Sequence, residues 1–259
     1  MAKLIEENIM NSPYSDPTTN FGFQKVPADR KNALVRDVFD SVAPNYDVMN
    51  DLMSFGIHRL WKSSLLDWLG PHPKKILLDV AGGTGDIAAR YRARGGGKVF
   101  ICDINQAMLE AGKAKIKKEP ASESIEWVCG DAEALPFPDK SIDVYTIAFG
   151  LRNVTSIRNA LHEARRVLRP GGRFLCLEFS KPAIAFINPI YDAYSFKILP
   201  EIGHFVANDR DAYKYLVESI RKFPDQINLE QQINSAGLEK SSYRNLSGGI
   251  AAIHSAWRL

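Results

Sequence analysis

The sequence predicts an α/β fold whose sheet is mostly parallel, with helices on both faces. Three observations carry that reading. From residue 76 to residue 179 short apolar runs alternate with amphipathic segments, a glycine-rich turn follows the first run, and the chain closes on two strand-like segments around Ser247-Gly248-Gly249.

The elements follow in order. Residues 1–30 mix Asn, Pro, Ser, Asp and Thr without apolar periodicity and are expected to form a mobile or loosely docked arm. Residues 31–259 are expected to form a single domain. Its first part, 31–70, is amphipathic: Val35, Val38 and Phe39 share one helical face, and after Pro44 a second segment carries Leu60, Trp61, Leu65, Leu66, Trp68 and Leu69. Ile76–Val80, Val99–Cys102, Ile125–Cys129, Val144–Phe149 and Phe174–Phe179 read as buried strands, with helices at 86–94, 105–118 and 156–168. Arg169-Pro170-Gly171-Gly172 stops the last helix and turns the chain. The stretch 181–206 holds Phe186, Tyr191, Tyr194 and Phe196 and is too long for an ordinary loop, so it reads as an insertion. Leu238–Leu246 and Ile250–Trp257 read as a hairpin.

Composition narrows the function classes. Lys plus Arg total 33 against 30 for Asp plus Glu, a net charge of +3, and no basic block points to nucleic acid as a partner. The mild basicity is compatible with an anionic membrane surface without arguing for one. The amino terminus lacks a secretory or transit pattern, so the expected location is cytoplasmic. No apolar run reaches the ~18 residues of a spanning helix, and any membrane contact is therefore peripheral. Cys102, Cys129 and Cys176 lie singly in apolar stretches and read as reduced core thiols, and the five histidines are scattered, so no metal is expected.

The clearest chemical signal is Leu77-Leu78-Asp79-Val80-Ala81-Gly82-Gly83-Thr84-Gly85, a buried strand running into a glycine-rich turn and a helix, where backbone amides can approach a ligand closely. Asp103 follows the second strand, 18 residues after Gly85, where a carboxylate can accept hydrogen bonds from ribose hydroxyls. Together they indicate a cofactor containing adenosine. Gly83-Thr84-Gly85-Asp86-Ile87-Ala88 also satisfies a loose dinucleotide pattern, but acidic Asp79 and Asp86, with no lysine in the turn, suit a sulfonium and an ammonium better than a pyrophosphate.

Asp79, Gly130-Asp131-Ala132 and Val167-Leu168-Arg169-Pro170-Gly171-Gly172 form a set that resembles the class I S-adenosylmethionine-dependent methyltransferases. The resemblance implies a Rossmann-like, seven-stranded sheet with an antiparallel C-terminal hairpin, and S-adenosyl-L-methionine as cofactor. It implies that Asp79, Gly82, Gly83, Thr84 and Gly85 form the turn beneath the cofactor, that Asp103 and Ile104 meet the ribose, and that Asp131 accepts from the adenine amino group while the Ala132 amide serves a ring nitrogen. Ala148 stands at the cofactor side of the fourth strand.

Tyr46–Trp61, Phe149–Thr155, Arg166–Ser180 and Tyr191–Asp211 are similar to segments of the ubiquinone/menaquinone biosynthesis C-methyltransferase family, a resemblance that covers residues 20–259. Arg169 stands where lysine is usual and Ala148 where several members have serine, while Ala81 agrees with the family. The resemblance implies C-methylation of the ring of a polyprenyl benzoquinol of the 2-methoxy-6-polyprenyl-1,4-benzoquinol type, with demethylmenaquinol as a further acceptor. A prenylated quinol partner, peripheral contact with the inner membrane, and a homodimer or quinone-synthesis complex go with it.

A polyprenyl tail needs an apolar groove, and Tyr46, Phe55, Trp61, Tyr191 and Tyr194 are its candidates under a helical lid formed by 31–70, against the plainer reading of aromatics in the core. Ring carbon becomes nucleophilic once a neighbouring hydroxyl ionises, and a phenol has a pKa of about 10. Arg152, permanently charged, is read as a clamp for the phenolate, and Asn153 as an orienting group. His58 and Asp47 are candidate proton acceptors. The rivals are an O- or N-methyltransferase of a soluble small molecule and a non-catalytic cofactor-binding subunit. The helical preface and insertion speak against the first, and the intact binding set against the second.

Overall fold

A computed structural model describes residues 18–42, 51, 54, 56–117, 123–181 and 210–259. Strands β1 (Thr18–Phe21) and β2 (Gln24–Pro27) precede helices α1 (Ala28–Val42) and α2 (His58–Leu69). Next come β3 (Leu77–Val80), α3 (Asp86–Ala93), β4 (Val99–Asp103), α4 (Gln106–Ile116), β5 (Ile125–Cys129), β6 (Ile142–Ala148), α5 (Ile157–Val167) and β7 (Leu168–Phe179). The described chain closes with α6 (Arg210–Lys222), α7 (Gln226–Ser235), β8 (Glu239–Leu246) and β9 (Ala251–Arg258).

Among the described residues the main sheet has seven strands in the order β5-β4-β3-β6-β7-β9-β8. The first five are mutually parallel, and β9 runs antiparallel to both β7 and β8, so the expected mostly parallel sheet with a C-terminal antiparallel hairpin is present. The order reverses between β3 and β6. Chain leaving β3 turns to one side and chain leaving β6 to the other, which opens a crevice at their carboxyl ends.

Strand alternation sends side chains to two cores. Leu77 of β3, Ile101 of β4 and Leu177 of β7 pack under α2, α3, α4 and α6. Leu78, Cys102, Ile147 and Phe174 pack on the other face under α5 and α7. The helices begin where side chains can satisfy free amides: Asn105 accepts from Met108 N, Ser156 from Asn159 N and Asp225 from Asn228 N.

Several expectations need correction. The described end of the expected loose arm is a hairpin with firm contacts: Phe21 stacks on Tyr215 at 4.3 Å, and Thr19 Oγ1 donates to the Thr155 carbonyl. The segment 31–70 is not one lid. Residues of α1 border the crevice, whereas Trp61, Leu65, Leu66 and Leu69 of α2 are buried in the core. Arg169–Gly172 lies within β7 as a bulge, with Gly171 at φ +78° and the register to β6 shifting there. Cys102 and Cys176 are buried as expected, but Cys129 at the end of β5 is exposed. Residues 182–206 of the expected insertion lie outside the described residues, among which no helix is long and apolar enough to cross a membrane.

Candidate active site

The crevice is bounded by two turns held in unusual backbone. Ala81, just after β3, has φ +50°, and Phe149, just after β6, has φ +59°, both in the left-handed region that side chains disfavour. The turns meet closely: a Cβ on Gly150 would lie 2.3 Å from the Ala81 Cβ, so glycine is required there. Strain of this kind persists where surrounding packing enforces it, and both residues border the cleft. The cleft runs between the turns and α1, which contributes Asn32, Arg36 and Phe39. A second space of about 360 Å³ shares Ala81, Gly83 and Phe149 with it and extends toward Lys62 and Asp86.

Asp103 and Asp131 both line the larger cleft. Asp103 is held rigidly, Oδ2 accepting from Gly83 N at 2.8 Å and Oδ1 from Asn105 N at 2.9 Å. Burial raises its pKa while these backbone donors oppose the rise. Asp131 accepts from Glu133 N at 2.9 Å and from Asn32 Nδ2 at 3.1 Å, so α1 is tied to the strand end opposite Asp103. Ile104 and Ala132 line the same cleft beside them.

Asp79 lies deeper. Its Oδ1 accepts from the Thr146 hydroxyl at 2.7 Å, but its Oδ2 is buried without a partner, and burial raises the carboxyl to about 7 against the pull of Thr146 and Lys62. A Cβ on Gly82 would sit 2.9 Å from that orphan oxygen. Asp79, Gly82, Gly83, Thr84 and Ala148 all line the smaller space. Gly85 does not: a Cβ there would meet Ile101, Ile116 and Trp127 at 2.9 Å, so close packing requires glycine. Asp86 accepts from Lys62 Nζ and Arg90 Nε, each at 2.8 Å. Although burial opposes it, these cations hold the carboxyl at about 2.

The expected catalytic residues separate. Asn153 lines the larger cleft and accepts from the Tyr215 hydroxyl at 3.1 Å. Arg152 is not poised as a free clamp: Nη1 donates to Glu178 Oε2 at 2.9 Å and to the Phe149 carbonyl, and the guanidinium lies over the Phe179 ring. Its charge is already neutralised by a buried carboxylate. His58 is buried, with Nδ1 2.9 Å from Ser54 Oγ and 3.7 Å from Asp51 Oδ1; burial, with Lys62 nearby, lowers its pKa to about 4. Such an imidazole is neutral at pH 7 and a weak base. Trp61 is core rather than groove, donating from Nε1 to Ser247 Oγ at 2.9 Å and standing edge-on to Phe179. Tyr46, Asp47, Phe55, Tyr191 and Tyr194 lie outside the described residues.

Sequence reasoning passed over Asn32 and Arg36 of α1, Lys62, Thr146 and Glu178. The face marked by Val35 and Phe39 was the available signal for α1. Nothing local marks Thr146 or Glu178, whose partners come from other strands or loops. Among the described residues no three His, Cys, Asp or Glu side chains are placed to share an ion.

A family model described as the ubiE/COQ5 methyltransferase family matches residues 26–258. The ubiquinone/menaquinone biosynthesis C-methyltransferase UbiE of Acidiphilium cryptum (strain JF-5) is 55% identical over 245 residues, covering 95% of this chain and 98% of its own. Its counterpart in Paracoccus denitrificans (strain Pd 1222) is 53% identical over 249 residues, covering 96% and 100%. Solved structures share the fold at low identity. A Thermotoga maritima SAM-dependent methyltransferase, described as a possible histamine N-methyltransferase, matches at TM-score 0.61 and 18% identity over 87% of this chain and all of its own. Phosphoethanolamine N-methyltransferase 2 of Haemonchus contortus, solved with S-adenosyl-L-methionine, matches at TM-score 0.57 and 14% identity over 76% of this chain and 52% of its own.

Proposed function

The chain belongs to the ubiE/COQ5 methyltransferase family, and on that footing we propose that it methylates a ring carbon of a polyprenyl benzoquinol of the 2-methoxy-6-polyprenyl-1,4-benzoquinol type in ubiquinone biosynthesis, with demethylmenaquinol as a second acceptor. The enzyme is an S-adenosyl-L-methionine-dependent C-methyltransferase. The observation that carries the cofactor assignment is the crevice between β3 and β6, with Asp79, Asp103 and Asp131 in separate places along it. Three acidic side chains suit a ligand with a positive sulfur, an ammonium and hydrogen-bond donors, and would repel a pyrophosphate. The orphan Asp79 Oδ2 and the close space at Gly82 fit the same group.

When bound, S-adenosyl-L-methionine supplies an electrophilic methyl on a positively charged sulfur. The chain's own residues hold and surround it: Asp103 accepts from the ribose, Asp131 and the Ala132 amide face the adenine edge, and Asp79 balances positive charge at the other end. Ala148 offers backbone only. Asn153 at the cleft wall orients the quinol. Arg152 acts as a positioning residue, fixing the Phe149–Asn153 turn through Glu178 instead of touching the acceptor. Of the proton acceptors, His58 has the lowered basicity described above, which leaves Asp47 as the stronger candidate.

The prenyl tail follows an apolar path that includes exposed Leu60 of α2 and exposed Ile57 just before it. Such a substrate resides in a bilayer, so the enzyme works peripherally at the cytoplasmic face of the inner membrane, as a homodimer or within a quinone-synthesis complex. Methyl-labelled cofactor supplied with each quinol tests the reaction. Label on ring carbon is expected, and label on oxygen, on nitrogen or nowhere overturns it.

A further inference from the structure

The smaller space beside the glycine turn is lined by side chains of opposite charge type. Asp79 presents a buried oxygen without a hydrogen-bond partner. Lining the same space is Lys62, which belongs to α2 and is only 6% exposed. A lysine this buried keeps its charge through a partner, here Asp86 at 2.8 Å. Asp86 is shared, however: Arg90 also binds it at 2.8 Å, so two cations divide one carboxylate. Thr84, Gly82 and Ala148 also line the space, with Ile87 and Phe149 as its large apolar side chains.

A buried acid oxygen without a partner and an ammonium that shares its carboxylate with Arg90, both lining one space, are complementary to a zwitterion of amino-acid type. Resting on the S-adenosyl-L-methionine reading above, we propose that Lys62 recognises the carboxylate at the aminoacyl end of the cofactor, whose ammonium turns toward Asp79. The assignment gives α2 a function beyond the core. Its apolar face, Trp61 and Leu65, fixes the helix on the sheet, and that anchoring aims the adjacent Lys62 across the turn. Asp86 is then a positioning residue that orients the ammonium.

Binding of S-adenosyl-L-methionine and of its decarboxylated analogue, which lacks only the carboxylate, separates the possibilities in calorimetry without catalysis. The parent protein should prefer the carboxylated compound by about 10–100-fold, the worth of one charge-assisted hydrogen bond. Lys62→Gln should lose that preference, its affinity for the decarboxylated compound changing little, and Lys62→Arg should keep most of it. Equal binding of the two compounds by the parent overturns the role of Lys62, and needs no folded variant to be decisive. An equal drop for both compounds in Lys62→Gln overturns it also, by showing a structural role alone. A parent that binds neither compound refutes the cofactor reading itself.

Discussion

Arg152 Nη1 lies 2.9 Å from Glu178 Oε2, joining the turn after β6 to the end of β7 with side-chain exposures of only 3% and 1%. Burial drives the Glu178 carboxyl upward in pKa and Arg152 opposes it. Removing one partner of such a pair leaves an uncompensated charge, which typically costs about 3–5 kcal/mol. Arg152→Ala should therefore lower unfolding free energy by about that amount in urea titrations. Arg152→Ala with Glu178→Gln should recover part of the loss. Strictly additive losses would contradict the pairing, and a folded Arg152→Ala protein with a near-normal methyl-transfer rate would remove the positioning role.

Asp79 gives a pH prediction. Burial raises its carboxyl from an ordinary 3.8 to about 7, so between these values the folded chain holds a proton that the unfolded chain lacks. The unfolded state then binds fewer protons, and stability falls as pH rises from about 4 to about 7 before levelling off. Asp79→Asn removes that fall. At pH 8 without cofactor its Tm should exceed the parent's by roughly 5 °C or more, with the difference shrinking toward pH 4. Scanning calorimetry at both ends checks the sign. Cofactor affinity should move the opposite way, weakening as the charge is lost.

Asp103 is expected to bind ribose while holding Gly83 N and Asn105 N. Asp103→Ala should weaken cofactor binding about tenfold or more, and Asp103→Asn, which keeps one acceptor oxygen, by less. Isothermal titration showing unchanged affinity in the alanine variant would remove Asp103 from the site.

The sheet was legible because its parallel strands read as short, mostly apolar runs, and even the edge strand Ile125–Cys129, which carries exposed Glu126, matches its expected bounds. The glycine turn and the carboxylates at strand ends were legible for the same reason, their spacing being tied to strand positions. Helix α7 was not: in Gln226–Ser235 the buried apolar residues are Leu229 and Ile233, and Ile227 is exposed, so the apolar stripe is too thin to stand out. The β1–β2 hairpin was hidden by short, polar strands whose docking depends on Tyr215 and Glu218, almost 200 residues away. Arg152 stood out in the sequence, but its partner Glu178 on β7 is brought to it by tertiary contact, which no local spacing marks. In α2, periodicity identified the helix without showing that its apolar stripe faces the sheet.

Substrate preference should rise with tail length. Exposed Leu60 on α2 and Ile57 just before it supply apolar surface, and burying each CH₂ contributes about 0.8 kcal/mol. In detergent solution kcat/KM should climb over the first isoprene units. A tail-less quinol that reacts as efficiently as a prenylated one would refute the apolar path.

Helix α1 is tied across the cofactor crevice at two points. Asn32 Nδ2 donates to Asp131 Oδ2 at 3.1 Å, and Asn105 Nδ2 donates to Asp40 Oδ1 at 2.7 Å. A further anchor is Lys31, whose Nζ donates to the Val154 carbonyl and whose pKa burial lowers to about 8. Between them Val35, Arg36 and Phe39 line the cleft, so α1 forms one of its walls. Each tie is a partly buried hydrogen bond, worth about 0.5–1.5 kcal/mol net, and those involving a carboxylate lie at the upper end or above. Loosening them should speed release more than it slows capture, because most affinity differences within one site appear in the off-rate. Asn32→Ala and Asp40→Ala should each raise the cofactor dissociation rate about 3–10-fold in stopped-flow displacement, and the double variant by close to the product, since the two ties lie at opposite ends of the helix. Asn32→Ala also exposes Asp131, so its association rate serves as the control for direct damage to the adenine site. If both single variants release the cofactor at the parental rate, α1 is a fixed wall of the cleft and not a lid.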